Sequence, residues 1–217
     1  MTHKKGTYQE LFDKGVKFTT DVMTHNEAID AFTKAIELKP DYAEAYYNRG
    51  LVYSKMYASS LQAINDFTKA IELKPDYTEA YSKRGHIYIK DAPNYAQAID
   101  DYTKAISLRP DYAEAYNYRG VAYGKTGDDV KRYSSPFADV SVTKANADAY
   151  YLKAIQDFEK AIELKPDYAE AYYNRGKVLF RKNKTGKSKK GMDDIKKSAR
   201  LGFEWAQNEL RFTGIEW

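Results

Sequence analysis

The sequence predicts an all-α fold, a solenoid of stacked helix pairs, and three observations carry that prediction. The first is a verbatim copy: KAIELKPDYAEAYYNRG stands at Lys34–Gly50 and again at Lys160–Gly176. The second is a period. Pro40, Pro75 and Pro110 lie 35 residues apart, Pro166 follows 56 later, and Gly15, Gly50, Gly85, Gly120 and Gly176 keep the same phase. A fixed period of roughly 20–50 residues marks supersecondary units that bury their apolar faces only against one another. The third is the spacing of apolar residues within each period, which is that of helices.

Each unit reads as two helices. The first, as in Tyr42–Met56, follows Pro40-Asp41, where proline ends the preceding helix and aspartate is a candidate cap for the next. Its Tyr46, Gly50 and Tyr53 share the i, i+4, i+7 face of a helix. The second helix, Ser60–Leu73, has Ser60 as candidate cap and buries Ala63, Ile64, Phe67, Ala70 and Ile71. Gly50 and Ala70 let the two backbones approach, while Tyr46 and Phe67 fill the space beside them. The copied segment spans the junction between one unit and the next, which has to be rebuilt at every step.

On these residues the chain resembles the tetratricopeptide-repeat family. The first helices supply Leu11, Tyr46, Tyr81, Tyr116 and Tyr172, then the glycines, then Phe18, Tyr53, Tyr88, Tyr123 and Leu179. The second helices supply Ala28, Ala63, Ala98 and Ala154, then Phe32, Phe67, Tyr102 and Phe158, then Ala35, Ala70, Ala105 and Ala161. The resemblance implies a right-handed α-solenoid of five pairs, at about residues 8–42, 43–77, 78–112, 113–168 and 169–202, after an N-terminal tail at 1–7. Residues 203–217 form a capping helix and tail, and SARLGFEWAQNELRF resembles the family's Sel-like variant. The family's usual period is about 34 residues; the extra residue here falls in the turn within each pair. The fourth unit carries an insert, Asp128–Ala149, that begins as turn-like sequence through Ser134-Ser135-Pro136. From about Val142 it is expected to extend the following helix backwards, and its excision is expected to leave a folded solenoid. In the fifth unit the turn becomes NKTGKSKKG, and Gly191, Ile195 and Ser198 take the second-helix positions.

Chemistry that needs a constellation of unusual residues finds none in the sequence. With no cysteine, disulfides, thiolate metal sites and a cysteine nucleophile are excluded, which fits a cytoplasmic location. The N-terminus MTHKKGTYQELF lacks the apolar run of a secretory signal, and no segment has the length of a membrane span. His3, His25 and His86 fall at different phases of different units, without metal-ligand spacing. Gly186-Lys187-Ser188 has a phosphate-loop look, but Arg181 stands where the loop's first glycine belongs. No enzyme activity, cofactor or metal is expected. Arg49, Arg84, Arg119 and Arg175 recur before the glycines, and Asp66, Asp101 and Asp157 recur on second helices, the pattern of a structural ion-pair ladder.

The resemblance also implies a function. In the family the inner face of the first-helix array commonly holds a peptide. The matching positions are Tyr47, Asn48, Leu51 and Lys55; Ser82, Lys83, His86 and Lys90; Asn117, Tyr118, Val121 and Lys125; and Tyr173, Asn174, Lys177 and Arg181. Lys55, Lys90, Lys125 and Arg181 form a basic stripe, and Glu44, Glu79, Glu114 and Glu170 an acidic rim. The expected function is a non-enzymatic scaffold that binds a peptide or partner segment. The clamp used for acidic chaperone tails is matched only at Asn48 and Lys83, so that ligand is not expected. One alternative is a homo-oligomerising module that docks through an edge repeat or Thr213–Trp217. Another is weak nucleic-acid or anionic-surface binding through Arg181–Lys197. That run sets eight basic residues against two acidic ones in a chain of net charge +4, but Lys182–Lys190 lacks aromatics for base stacking.

Overall fold

The computed structural model describes residues 3–19, 24–133, 140–183 and 187–217, with side chains from residue 7 and, after the insert, from residue 145. The turn-like Ser134-Ser135-Pro136 and Gly186 lie outside the described residues. Among those described there are eleven helices and no strand. They are α1 (His3–Phe18), α2 (His25–Leu38), α3 (Ala43–Tyr53), α4 (Ser60–Leu73), α5 (Thr78–Lys90), α6 (Tyr95–Leu108), α7 (Ala113–Tyr133), α8 (Val140–Leu164), α9 (Ala169–Lys182), α10 (Lys189–Arg200) and α11 (Glu204–Phe212). The chain divides into two compact units, Met1–Asn94 with α1–α5 and Tyr95–Trp217 with α6–α11, so the division falls inside the expected third repeat. Within each unit, helices consecutive in sequence pack as neighbours.

Paired helices approach closely because one supplies no side chain where the other supplies a ring. A Cβ placed on Gly15 would lie 2.6 Å from the Phe32 ring, on Gly50 3.0 Å from Phe67, and on Gly120 2.8 Å from Phe158. These rings, with Ala28, Ala63 and Ala154 one turn earlier, are fully buried. The last pair solves the problem differently. Gly176 on α9 faces Gly191 on α10, where a Cβ would meet the Gly191 carbonyl oxygen at 2.7 Å and Ile195 at 2.9 Å. There the backbones themselves touch, and the buried Ser198 hydroxyl donates to the Ala169 carbonyl at 2.6 Å.

The expected ion-pair ladder is present. Arg49 reaches Asp66 through two bonds of 2.8 Å, Arg119 reaches Asp157 at 2.8 and 2.7 Å, and Arg175 reaches Asp194, which sequence reading overlooked, at 2.8 and 2.7 Å. The remaining guanidinium nitrogen ties back to the preceding repeat: Arg49 to Thr33 at 2.9 Å, Arg84 to Thr68 at 2.8 Å and Arg119 to Thr103 at 3.1 Å. At Arg175 the same place is held by Glu159, 3.8 Å away. Burial pushes the Asp66 and Asp157 carboxyls above their ordinary range, and the arginine forks oppose that. Each buried carboxylate therefore depends on its fork for solvation.

A second seam lies at the copied junction. The helix after each Leu-x-Pro turn starts one residue later than expected, with Tyr42, Tyr77 and Tyr168 at the N-cap and no side-chain cap. Ser60 likewise lies inside α4, whose uncapped N-cap is Ser59. Asp41 and Ser60 thus do not serve as the expected caps; at Asp41 the packing of Tyr42 fixes the chain entry instead, and Ser60 already lies within its helix. Tyr42 packs 5.0 Å from Phe12 and Tyr77 4.7 Å from Tyr47. The turn cation sits over the same tyrosine: Lys39 over Tyr42 and Lys74 over Tyr77 at 4.8 Å, Lys165 over Tyr168 at 5.1 Å. Lys74 and Lys165 also reach back to Glu44 and Glu114 at the start of their own repeats, at 3.6 and 3.7 Å. Each such exposed contact contributes little alone; its use lies in repetition.

The insert departs from expectation in its first part. Helix α7 continues through Asp128 to Tyr133, so these residues are helical and not turn-like. The cause is local: Gly127 admits the Tyr151 ring, 2.7 Å from where a Cβ would stand, and the Tyr151 hydroxyl donates to Asp128 at 2.9 Å. Helix α8 does extend backwards, from Val140. Its buried Ala147 and Tyr151 join Phe158 and Val178 in one core cluster. The helical arms of the insert are therefore part of this unit's packing, and removing all of Asp128–Ala149 strips core from it.

Two measurements test this packing. Gly120→Leu forces a side chain into Phe158 and the Ala154 carbonyl, and is expected to cost about 1–3 kcal/mol or more, read as a lowered melting temperature. Tyr102→Phe is expected to go the other way. Tyr102 occupies the position of Phe32, Phe67 and Phe158, fully buried, and its hydroxyl has no hydrogen-bond partner among the described residues. Removing that group should stabilise by about 1 kcal/mol; a lower melting temperature would show that the hydroxyl is satisfied.

Candidate interaction cleft

The twelve residues expected to line a groove separate into two groups. One belongs to the seams. Tyr47 is half-buried between Phe67 and Tyr77, with ring centroids 5.7 and 4.7 Å away. Asn117, at the same phase two repeats on, is fully buried; its amide donates to the Tyr168 hydroxyl at 3.2 Å and its carbonyl accepts from Asn174 at 3.1 Å. Both asparagines also bond the Glu170 carboxyl, which burial raises above its ordinary range. Tyr118 stacks on Tyr102 at 5.9 Å. Tyr47, Asn117 and Tyr118 thus pack within the fold, Asn117 completely and the two tyrosines in part. At Tyr47 and Asn117 the cover is the N-cap tyrosine of the next repeat. Asn48 donates to the Glu44 carbonyl of its own helix at 2.8 Å, and Lys55 to the Thr19 carbonyl at 3.2 Å. Lys83 and Lys90 are exposed and flank the half-buried His86.

The other group converges. Lys125, Tyr173, Asn174 and Arg181 line one cleft of about 360 Å³ in the second unit. Val121, Gly124, Phe158 and Val178 contribute apolar surface to it, and Lys177 and Trp205 complete its lining. Helices α7 and α9 present these residues because positions three or four apart share a face. Lys177 donates to both oxygens of Glu209, at 2.9 and 3.0 Å, and the Tyr173 hydroxyl donates to the same carboxylate at 2.9 Å. Burial, then that bond, pushes the Tyr173 hydroxyl up to about 12, so it stays a donor at neutral pH. Arg181 pairs loosely with Asp128 at 3.4 Å, and Lys125 is exposed.

Trp205 and Glu209 escaped sequence reading, which treated the tail only as an end cap. The signal was present: LGFEWAQNE aligns with PDYAEAYYN, placing Phe203 at the N-cap tyrosine. Among the described residues no group of three or more His, Asp or Glu is arranged to hold a metal ion. Among them, too, no helix is long and apolar enough to cross a membrane.

His86 gives this surface a pH signature. Burial first, then Lys90 and Lys83, holds its imidazole below the ordinary value of 6.5. Between 6.5 and that lower value the unfolded chain binds more protons than the folded one, so stability falls as pH drops through the window. Denaturation midpoints between pH 7 and 5 should show this loss, and His86→Gln should reduce it.

Comparison with known proteins agrees with this architecture. A family model described as TPR repeat matches residues 25–56, 94–127 and 151–183, and one described as tetratricopeptide repeat matches residues 43–77. Neither extends over the tail, so its Sel-like character stays a proposal. No curated protein matches the chain. Among solved structures, the crystal structure of MamA protein is 25% identical, with a TM-score of 0.70 over 94% of this chain and 96% of that one. YrrB, described as a TPR protein with an unusual peptide-binding site, is 19% identical, with a TM-score of 0.67 over 93% and 90%. The first TPR of Spaghetti (RPAP3), bound to HSP90 peptide SRMEEVD, is 27% identical over 56% of this chain and 94% of that one, with a TM-score of 0.52. The chain thus carries tetratricopeptide repeats and has the all-α, solenoid-class fold that such repeats build.

Proposed function

We propose that the chain is a non-enzymatic protein-interaction scaffold, cytoplasmic, which takes a peptide or partner segment in the cleft between α7, α9 and α11. The observation that carries this reading is the convergence there of exposed cations with an apolar floor. Lys125 and Arg181 can meet carboxylates, the half-buried Val121 can meet an apolar side chain, and Asn174 offers an amide edge. A concave site with an apolar lining and a few directed polar groups is what peptide recognition uses. Two structural neighbours support the mode. YrrB has a peptide-binding site, and the RPAP3 repeat is bound to a peptide. The HSP90 peptide itself is not carried over, since the residues of that clamp are matched here only at Asn48 and Lys83.

The test is selection of peptides from a random display library on the immobilised chain. Peptides that bind the native chain should lose at least tenfold in affinity to Lys125→Glu, while circular dichroism stays unchanged because Lys125 is exposed. Failure to enrich any peptide would defeat the reading; binders indifferent to Lys125→Glu would move the site elsewhere.

A further inference from the structure

Helix α11 has the register of the first helix of a sixth repeat. Phe203 stands at its N-cap and packs on Tyr173 with centroids 5.3 Å apart, as Tyr77 packs on Tyr47. Ala206 is fully buried, like Ala45, Ala80, Ala115 and Ala171 at the same phase. The Pro-Asp turn of the other junctions is replaced by Gly202, whose φ of +89° suits glycine. Its N–H donates to the Ala199 carbonyl at 3.0 Å and that of Phe203 to the Ser198 carbonyl at 3.1 Å, the paired bonds of a glycine C-cap.

That register assigns roles to two side chains. Trp205 takes the phase of Glu44, Glu79, Glu114 and Glu170, so the acidic rim ends in an indole at this edge of the cleft. The residue is 72% exposed, too open to count as core, and lines the cleft. Glu209 takes the phase of Asn48 and Asn174, and its carboxylate is received by Lys177 and Tyr173. The lining therefore already holds one carboxylate of its own, beside two further cations, Lys125 and Arg181.

Resting on the peptide reading, we propose that α11 completes the cleft and that Trp205 sets its specificity. The occupant is a partner segment whose aliphatic or aromatic side chain lies on the indole, with flanking carboxylates at Lys125 and Arg181. Loss of the rim carboxylate at this position removes the repulsion such a segment would meet beside Glu44 or Glu114. An aromatic anchor at a cleft wall is the residue type that dominates binding elsewhere.

The experiment compares display selections on the native chain and on Trp205→Ala, and titrates selected peptides into Trp217→Phe, where Trp205 is the remaining tryptophan. Selected peptides should share an apolar residue next to Asp or Glu and shift Trp205 emission to the blue. Their affinity should fall at least tenfold in Trp205→Ala and recover partly in Trp205→Phe, with the melting temperature unchanged. Peptides that lack a carboxylate, or bind Trp205→Ala equally well, would overturn this inference and leave the peptide reading standing. A library that yields no binder would overturn both. Self-association abolished by Trp205→Ala would show that the indole covers a second copy, and would also overturn it.

Discussion

The contact on which the rest depends is the missing side chain at Gly15, Gly50 and Gly120, each filled by a ring from the partner helix. At 2.6–3.0 Å, no Cβ fits without displacing Phe32, Phe67 or Phe158. That contact sets the separation of the two helices, and the separation sets what polar chains can span. Arg49 and Arg119 sit one residue before a glycine, and from there a guanidinium reaches its aspartate at 2.7–2.8 Å and a threonine of the preceding repeat with its third nitrogen. Apolar packing within a repeat and polar ties between repeats are thus one geometric fact. In the last pair Gly191 takes the place of the ring and Arg175 still finds Asp194, at 2.8 and 2.7 Å, so close approach of the helices, and not the ring itself, is what the ladder needs.

How far the sequence could be read follows from how often each feature recurs. Period, helix pairing, the glycine–ring contact and the arginine ladder each occur several times, so chance agreement was removed by repetition. The cap at Asp41 was misread because aspartate has good capping propensity, and propensity is a weak force where a tyrosine seam fixes chain entry. The insert was misread at Asp128–Tyr133 because it occurs once. Its helix is held by long-range partners, Tyr151 and Arg181, that no local pattern announces.

The site was legible in part for a related reason. Helix phase tells which residues share a face, but not which face the next repeat covers. Tyr47, Asn117 and Tyr173 share a phase that meets the next N-cap ring: Tyr77, Tyr168 and Phe203 respectively. Covering that phase explains why Asn117 is fully buried although its residue type suggested a ligand contact. Positions farther along the helix, Lys125 and Arg181, lie beyond the covering ring. Those two belonged to the legible part, and Trp205 would have joined them had the tail been aligned as a repeat.

This geometry divides the surface by what a substitution touches. Lys125 and Trp205 are exposed and join neither the ladder nor the tyrosine seam, so their chemistry can change with little effect on the scaffold. Tyr173, Asn174 and Lys177 serve both purposes, because Glu209 and Asn117 engage them within the fold. A ligand that used those three would compete with bonds that hold α11 and α9 in place, and its binding energy would be reduced by that loss. The exposed pair carries no such penalty. Specificity is therefore best placed at Lys125 and Trp205, which line the cleft yet lie outside the seam that holds the helices together, so a partner can engage them without loosening the fold.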